Sequence, residues 1–457
     1  MANTYLTKTL GTPTNNKKFT FSCWFKRYDP AVTMDIFHAG PDGNNEAIIC
    51  RMESDGRFTM KHDSGGSQEM LKQTKALYRD TNAWYHIVII WDTDNSTAED
   101  RQILYFNGER ITDWLSGGND NFAGGEDILA NKAVSHSIGR RNYGGTNYVN
   151  GLLSHVHFID GTAYAASTFG STDATTGEWK INTNPSVTYG NNGFFILKDG
   201  NSVTDQSGQG NNWTVSGGTL TKTEDNPSNV FATLNPLLLP LSNQPTFSNG
   251  NTTSITNAGS GSYKWGGCTT LGMTSGKFYC EAKATVDSSY SRNVIGITGD
   301  SINIAKTNGS ILNGTHSWGY YSSNGEVAGN GAGAVSGYST SYTTGDIIGM
   351  ALDLDNNKLY FSKNGTFLNS GDPTSGSTGT GAVSIIAADT TNDGAYFFAQ
   401  TDDTGTTSPS KFDFNFGNGY FGTTAVSSAG TNASNNGIFE YDVPSGYTAL
   451  STKGLNL

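Results

Sequence analysis

The sequence is poor in charged residues, in patterned cysteines and in long apolar runs. Only 15% of its 457 residues are charged, which argues against long exposed helices, because those normally carry rows of Glu and Lys. No apolar run approaches the ~20 residues of a membrane span, so membrane insertion is not expected. The cysteines Cys23, Cys50, Cys268 and Cys280 show no C-x-x-C spacing, and we expect free, buried thiols.

Positive charge is also scarce. The chain has 28 Lys and Arg against 40 Asp and Glu, a formal net charge of −12, and no dense basic run. Because neutralising phosphates dominates affinity for nucleic acids, we do not expect a nucleic-acid partner. The opening residues, Met1 to Lys8, lack the apolar core of a signal peptide, which predicts synthesis in a cytoplasm without a secretory leader.

What the chain does contain is the material of short strands and tight turns. It has 58 Gly together with many Asn, Ser and Thr residues. Phe19, Phe21, Cys23 and Phe25 fall on one face of an extended segment, which predicts a core strand. Residues 84–92 form a nearly continuous apolar run of strand length, typical of a central strand that is covered on both faces.

Hairpin signals separate these strands and recur in both halves. The pairs Asp55-Gly56, Asn107-Gly108 and Asn364-Gly365 each lie between strand-like segments. Each half shows the same order of a buried strand ending in Asp, a polar loop, an aromatic strand and Asn-Gly. Residues 69–78 are the one helix-like stretch, with an extended loop as the alternative. The patterns therefore predict an all-β protein with two related sandwiches.

Particular segments resemble known families. The first half resembles a laminin G-like, concanavalin A-like domain in residues 19–26, 84–86, 105–108, 137–139 and 150–156. The second half resembles a SPRY domain in residues 276–281, 294–297, 345–353 and 359–365. With residues 205–214, 232–237 and 443–450, the whole chain is similar to phage virion proteins, especially of marine phages, that carry a laminin G-like domain followed by a SPRY domain.

This resemblance implies a fold class and domain boundaries. We expect an all-β chain of two concanavalin-like jelly-roll sandwiches joined by an irregular connector. Residues 1–180 would form the laminin G-like sandwich, and residues 181–250, which include the Pro-rich stretch 223–249, would form the connector with some strands. Residues 251–430 would form the SPRY-like sandwich, and residues 431–457 would pack on it.

Catalytic and metal-binding patterns are weak. Glycoside hydrolases of this fold use Glu-x-Asp-x-x-Glu, but the segment that begins Glu53-Ser54-Asp55 has Phe58 in place of the second Glu, and we expect no enzyme. His155 and His157 share a strand face without a third ligand, so we interpret them as structural rather than as a metal pair. We expect no cofactor. Calcium is the candidate ion, with carboxylates on rim turns as its ligands: Asp92, Asp94, Asp353 and Asp355.

Ligand binding would use aromatic side chains on rim loops, because sugars stack their apolar faces on rings while their hydroxyls bind polar neighbours. Core packing is the alternative role for each of these rings. The candidates lie in Gly- and Asn-rich surroundings and are Trp114, Tyr143, Asn147, Tyr148, Trp318, Tyr320, Tyr321, Tyr338 and Tyr342.

Three functions stay open at this point. The resemblance implies a virion-surface location and a tail-fibre or receptor-binding component that recognises a host-surface glycan or protein. The alternative is a capsid or tail decoration protein that contacts only other virion proteins, and a glycan hydrolase is the third hypothesis. A homo-oligomer is implied by the likeness to fibres, although no heptad or collagen-like repeat specifies it.

Overall fold

The computed structural model divides the chain into two compact units, Met1–Lys222 and Thr223–Leu457. It describes residues 3–42, 46–116, 120–198, 200, 202–257, 263–286, 293–307, 309–312, 314–330, 332–335, 338–403 and 409–456. Among these residues, no helix has the length and apolar character to cross a membrane.

Unit 1 is built from two antiparallel sheets. One has the strand order β10-β6-β5-β4-β3-β11-β1-β16, the other has the order β15-β12-β2-β7-β8-β9, and β13 pairs with β14 separately. The strands are β1 Tyr5–Thr9, β2 Lys18–Arg27, β3 Met34–Asp42, β4 Glu46–Met52, β5 Phe58–Ser64, β6 Ser67–Thr74, β7 Tyr85–Asp92, β8 Gln102–Phe106, β9 Glu109–Arg110, β10 Trp114–Ser116, β11 Ser135–Ile138, β12 Gly151–Asp160, β13 Gly170–Thr172, β14 Trp179–Ile181, β15 Phe194–Ile196 and β16 Thr214–Ser216.

The core of unit 1 lies between these sheets. Phe21 of β2 stacks on Phe37 of β3 with ring centroids 4.8 Å apart, so the alternating face predicted for residues 19–25 is the one that meets the opposite sheet. The predicted central strand is β7, which pairs with β2 on one side and β8 on the other. Its second face is covered by a smaller cluster that includes Phe169.

Unit 2 repeats the two-sheet plan. One sheet has the order β17-β18-β30-β20-β25-β26-β27, with β28 beside β26 and β33 beside β20, and the other has the order β19-β29-β21-β22-β23-β24. The strands are β17 Thr246–Ser248, β18 Thr253–Ile255, β19 Lys264–Cys268, β20 Lys277–Val286, β21 Asn293–Thr298, β22 Ser317–Tyr321, β23 Val327–Gly329, β24 Ala332–Val335, β25 Ile347–Asp353, β26 Lys358–Lys363, β27 Thr366–Phe367, β28 Val383–Ser384, β29 Phe397–Asp402, β30 Lys411–Asn415, β31 Tyr420–Phe421, β32 Thr424–Ala425 and β33 Thr448–Ala449.

Helices are short in both units. The α-helix α1 spans Ser301–Thr307 and lies against β19. The 3₁₀ segments are Ala98–Asp100, Leu129–Asn131, Tyr143–Gly145, Ala166–Thr168, Gly376–Thr378, Ala388–Thr390 and Gly454–Asn456. The all-β prediction is therefore confirmed.

Backbone angles confirm the two predicted Asn-Gly turns, and the strands on either side of Asp55-Gly56 pair as β4 and β5. Asn107 and Gly108 have φ values of 45° and 82°, and Asn364 and Gly365 have φ values of 50° and 81°. Both central residues of these turns are left-handed, which is the conformation that matches the twist of paired strands and that Asn-Gly adopts at low cost. All four cysteines are free and buried, as expected.

Two sequence interpretations differ from the structure. The helix-like stretch 69–78 begins inside strand β6, where Met70, Lys72 and Thr74 are buried in a period of two against β5. The predicted connector, residues 181–250, is divided between the units. Strand β15 pairs with β12 and strand β16 pairs with β1, while Ala232 N–H donates to Leu450 O in unit 2 at 2.9 Å.

Candidate functional site

Four of the predicted ligand-binding rings of unit 2 lie in its core. Trp318, Tyr320, Tyr338 and Tyr342 are buried in the cluster between the two sheets. The Tyr342 hydroxyl donates to Asn293 O at 2.8 Å, and the Tyr338 hydroxyl donates to Gly381 O at 3.2 Å. These rings therefore serve packing and present no face to a ligand, which corrects their assignment to rim loops.

Tyr321 of unit 2 and Trp114 of unit 1 are partly buried and contact other side chains. The Tyr321 hydroxyl donates to Asp403 Oδ2 at 2.9 Å. Trp114 packs on the core of unit 1, and Lys72 Nζ lies 5.3 Å from its ring centroid. Because Trp114 is on β10, strands β6, β5, β4 and β3 separate it from β11 and from the loop that follows β11.

The other three predicted residues, Tyr143, Asn147 and Tyr148, lie together in that loop, residues 139–150. Backbone hydrogen bonds close it: Arg141 N–H donates to Thr146 O at 2.9 Å, and Val149 N–H donates to Gly139 O at 2.8 Å. The chain reverses through Gly144, Gly145 and Asn147 with φ values of 72°, 57° and 54°, a region that Gly and Asn enter most readily.

Side chains fasten this loop to the sheet beneath it. Asn142 Nδ2 donates to Gly40 O and to Ser135 O, both at 3.1 Å. The Asn147 backbone carbonyl accepts the N–H of Asp35 at 2.9 Å, and Asn147 Nδ2 lies 3.4 Å from Asp35 Oδ1. Asn147 therefore holds the loop in place, whereas Tyr143 on the same loop is 51% exposed.

Sequence reasoning missed the partners of these tyrosines. The guanidinium carbon of Arg140 lies 3.5 Å from the centroid of Tyr5, and Tyr5 meets Tyr148 edge-on with centroids 6.0 Å apart. The Arg141 guanidinium carbon lies 5.7 Å from the centroid of Tyr143. We call these five residues the tyrosine–arginine surface. An Arg-Arg pair next to an Asn/Gly-rich loop is a visible signal, but Tyr5 is more than 130 positions away in the sequence.

Charged and titratable groups lie beneath this surface. Arg51 Nη2 donates to Asp35 Oδ2 at 3.1 Å, while burial raises the pKa of Asp35 against the pull of Arg51. His38 is fully buried, and neither ring nitrogen has a hydrogen-bond partner among the residues that the structure describes. Burial and the positive charges of Arg141 and Arg51 lower the pKa of His38 to about 3, so the imidazole is neutral near pH 7. The fixed positive charge here is therefore carried by arginines.

The arrangement has the chemistry of a saccharide contact. An exposed tyrosine ring offers a flat face to the C–H groups of a sugar, and guanidinium groups donate hydrogen bonds to its oxygens. The loop is already ordered by its internal bonds, so a ligand would not have to fix it.

The histidine pair and the rim carboxylates have internal partners. His157 Nδ1 is 2.9 Å from the Tyr189 hydroxyl, and His155 Nδ1 is 2.7 Å from Ser154 Oγ. Lys277 Nζ is 3.0 Å from Asp353 Oδ2, and Asp355 Oδ1 accepts the N–H of Gly276 at 2.9 Å.

Asp92 and Asp94 have lysine neighbours. Asp92 Oδ2 is 2.9 Å from Lys18 Nζ, and Asp94 Oδ1 is 3.9 Å from Lys17 Nζ. Within the part of the chain that the structure describes, no three His, Cys, Asp or Glu side chains converge as a metal site.

Two family models match the chain in succession. Residues 2–167 match the laminin G model described as the concanavalin A-like lectin/glucanases superfamily, and residues 266–374 match the SPRY domain model. No curated protein matches the sequence.

Several solved structures are similar to parts of the chain. The SPRY domain of human HERC1 has 19% identity and a TM-score of 0.28, and the match covers 37% of this chain and 91% of that one. A heptameric SAP-like pentraxin from Limulus polyphemus has 18% identity and a TM-score of 0.28, with coverages of 43% and 89%. Domains LG4-5 of the mouse laminin α1 chain have 10% identity and a TM-score of 0.29, with coverages of 98% and 84%. All three TM-scores are below 0.5, so no functional detail is transferred from these proteins.

Proposed function

We propose that this chain, a laminin G-like, concanavalin A-like domain followed by a SPRY domain, is a non-enzymatic adhesion protein of a phage virion. Its role is that of a tail-fibre or receptor-binding component, and its ligand is a glycan of the host surface. The observation that carries the binding function is the exposed ring of Tyr143 on a loop that is fastened to the sheet at both Asn142 and Asn147.

The geometry of this surface supports the proposal that it binds a glycan. The ring of Tyr143 stacks on the apolar face of a sugar, and Arg141 beside it donates to ring or hydroxyl oxygens. One such contact is weak, so a homo-oligomer that presents several copies would raise the overall avidity.

The virion assignment is supported by sequence resemblance. The order of the two domains, together with the segments 205–214, 232–237 and 443–450, resembles that of phage proteins with this architecture. The partners we propose are other virion proteins and a host-surface glycan, and the location is the virion surface.

The proposal is binding without catalysis. The segment that most resembles a glycosidase strand has Phe58 where the second carboxylate would stand, and that ring is fully buried in the core of unit 1. In the buried Ser22–His86 pair, Trp179 Nε1 donates to His86 Nδ1 at 3.0 Å, so the neutral imidazole carries its proton on Nε2. His86 therefore donates to Ser22 and cannot act as a base towards it.

A glycan array tests the proposed function. We expect the purified full-length protein to bind a subset of bacterial surface glycans, and Tyr143→Ala to lose those signals. Tyr263→Ala is the matched control, because Tyr263 is a tyrosine of unit 2 with 40% exposure that lies outside the tyrosine–arginine surface. Equal signals from wild type and Tyr143→Ala would reject this surface, and release of reducing sugar from a bound glycan would reject the non-enzymatic role.

Exposed leucines favour the second candidate function, decoration of the capsid or tail through contacts with other virion proteins. Leu237 and Leu241 are 58% and 94% exposed in the Pro-rich segment before β17. Cryo-electron microscopy of intact particles distinguishes the two roles. Burial of Tyr143 against a neighbouring virion protein would support decoration, and an outward-facing Tyr143 would support adhesion.

A further inference from the structure

Two hydrogen-bond donors of the tyrosine–arginine surface lie beside Gly145. A Cβ atom placed on this residue would lie 3.3 Å from Arg140 Nη1 and 3.6 Å from the Tyr148 hydroxyl. The missing side chain thus leaves an arginine nitrogen and a phenol oxygen next to the same point of the loop. Both groups donate hydrogen bonds, which is the pairing that an oxyanion accepts.

Among the described residues, no carboxylate holds the Arg140 side chain in position. Its guanidinium stacks on the Tyr5 ring at 3.5 Å, and its buried Nε atom has no hydrogen-bond partner in this part of the chain. Within the described residues the nearby Asp35 carboxylate binds Arg51 instead, through Nε and Nη2. Stacking therefore orients Arg140 while its positive charge stays uncompensated by an ion pair, a state that favours an anionic ligand.

The net charge of the whole chain opposes the binding of an anionic ligand. With a formal net charge of −12, the protein repels anionic polymers in general. Attraction to an acidic glycan then requires a local site with arginine donors and cannot come from the overall charge.

From these contacts we infer that the ligand is an acidic glycan whose anionic group, a carboxylate or a sulfate, binds beside Gly145 between Arg140 Nη1 and the Tyr148 hydroxyl. This inference rests on the proposed glycan-binding function and names its substrate class. In it Arg140 and Tyr148 are ligand-binding residues, and Tyr5 is a positioning residue that acts through Arg140.

A pair of glycine variants tests whether the space beside Arg140 and Tyr148 must stay open for binding. Gly144 and Gly145 are adjacent and have similar backbone angles, with φ values of 72° and 57°, but a Cβ on Gly144 would have no atom within 4 Å. Gly144→Ala and Gly145→Ala thus introduce comparable backbone strain, and only Gly145→Ala fills the space beside Arg140 and Tyr148. A third variant, Arg140→Gln, removes the charge without adding volume.

The test measures binding of full-length protein to immobilised polygalacturonate, neutral dextran and dextran sulfate near neutral pH. We expect the wild type to bind both acidic polymers at least about tenfold more tightly than neutral dextran, and the ratio of the two acidic affinities identifies the preferred anionic group. Arg140→Gln and Gly145→Ala should lose that preference, and Gly144→Ala should keep it. Thermal melting of each variant reports whether it is folded.

The outcomes separate this inference from the proposed function. If the array shows binding that depends on Tyr143 but neutral glycans bind as tightly as acidic ones, the anion site is wrong and glycan binding stands. A full preference for acidic polymers in Arg140→Gln or in a folded Gly145→Ala also overturns the anion site. If no glycan binds at all, the proposed function itself fails.

Discussion

The carboxylate of Glu281 on β20 accepts the backbone N–H of Tyr441 at 2.9 Å, although the two residues are 160 positions apart. It also accepts the N–H of Glu440 at 2.9 Å and a hydrogen bond from Asn415 Nδ2 at 3.2 Å. Glu281 thereby joins the C-terminal segment to the sheet of the SPRY domain, next to the apolar cluster that contains Phe439 and Tyr447.

Replacing Glu281 by Ala should destabilise unit 2. The substitution leaves two backbone N–H groups and an amide without their acceptor at a buried site, and each such loss costs about 1–3 kcal/mol. We expect the free energy of unfolding to fall by about 3 kcal/mol or more, measured by urea denaturation followed through hydrogen exchange in peptides of unit 2. An unchanged midpoint for peptides around Glu440 would contradict this role.

Glu281 should also make unit 2 less stable as the pH rises. Burial raises its pKa from an ordinary value of 4.5 to about 7, so its contribution is full below pH 4.5 and is lost as the pH rises through about 7. Glu281→Gln keeps an acceptor oxygen but does not titrate. We expect the stability of unit 2 to decrease between about pH 5 and pH 7.5 in the wild type and to change less in Glu281→Gln. Parallel pH profiles for the two proteins would exclude Glu281 as the source.

The stability of unit 1 should instead decrease as the pH falls. Burial lowers the pKa of His38 and His86 to about 3 and that of His62 and His136 to about 4. Their stabilising contribution is full above the unfolded value of 6.5 and is lost as the pH falls towards these values, at up to about 1.4 kcal/mol per histidine and pH unit.

The measurement is the melting temperature of unit 1 between about pH 7.5 and pH 5, followed by hydrogen exchange in its own peptides. His38→Leu removes one titrating group that has no hydrogen-bond partner, and it should reduce the loss of stability in acid. A melting temperature of unit 1 that is constant over this range would show that the histidines do not control it.

Asp160 should be a stability determinant of unit 1. Its buried carboxylate accepts the N–H groups of Thr14 at 2.6 Å and of Asn15 and Asn192, both at 3.0 Å, and a hydrogen bond from Asn131 Nδ2 at 2.7 Å. Asp160→Ala leaves all four donors without this acceptor and should cost about 3 kcal/mol or more by urea denaturation. The control is Asp113→Ala, whose 72% exposed side chain pairs with Lys75 on the surface and should change stability little. Similar losses in the two variants would contradict the special role of Asp160.

Local sequence patterns were sufficient for the strands and turns of this protein. The Asn-Gly pairs at 107–108 and 364–365 predict their hairpins because few other residue pairs adopt two left-handed conformations. The alternation at residues 19–25 predicts a buried strand face because the side-chain period of a strand is two. Residues 69–78 look helix-like because Glu, Met, Leu and Lys favour helices. The first part of this stretch is nevertheless a strand, because it pairs with β5.

The candidate site was only partly accessible from sequence, because burial of aromatic rings depends on distant segments. Tyr338 and Tyr342 have small or polar neighbours in the sequence, as Tyr143 does. Their rings are nevertheless buried, and their hydroxyls donate hydrogen bonds to Gly381 O and Asn293 O. Tyr143 stays exposed because its loop is attached to the sheet by Asn142 instead of by the ring itself. The stacking of Arg140 on Tyr5 joins β1 to the loop after β11, and no local pattern encodes it.

The central claim is that Tyr143 forms a glycan-binding surface, and calorimetric titration tests it most directly. The measurement compares wild type, Tyr143→Ala and Tyr263→Ala with the glycan that gives the strongest array signal. We predict that Tyr143→Ala binds at least about tenfold more weakly, while Tyr263→Ala binds like the wild type. A Tyr143→Ala protein that is folded and binds with the affinity of the wild type would contradict the account.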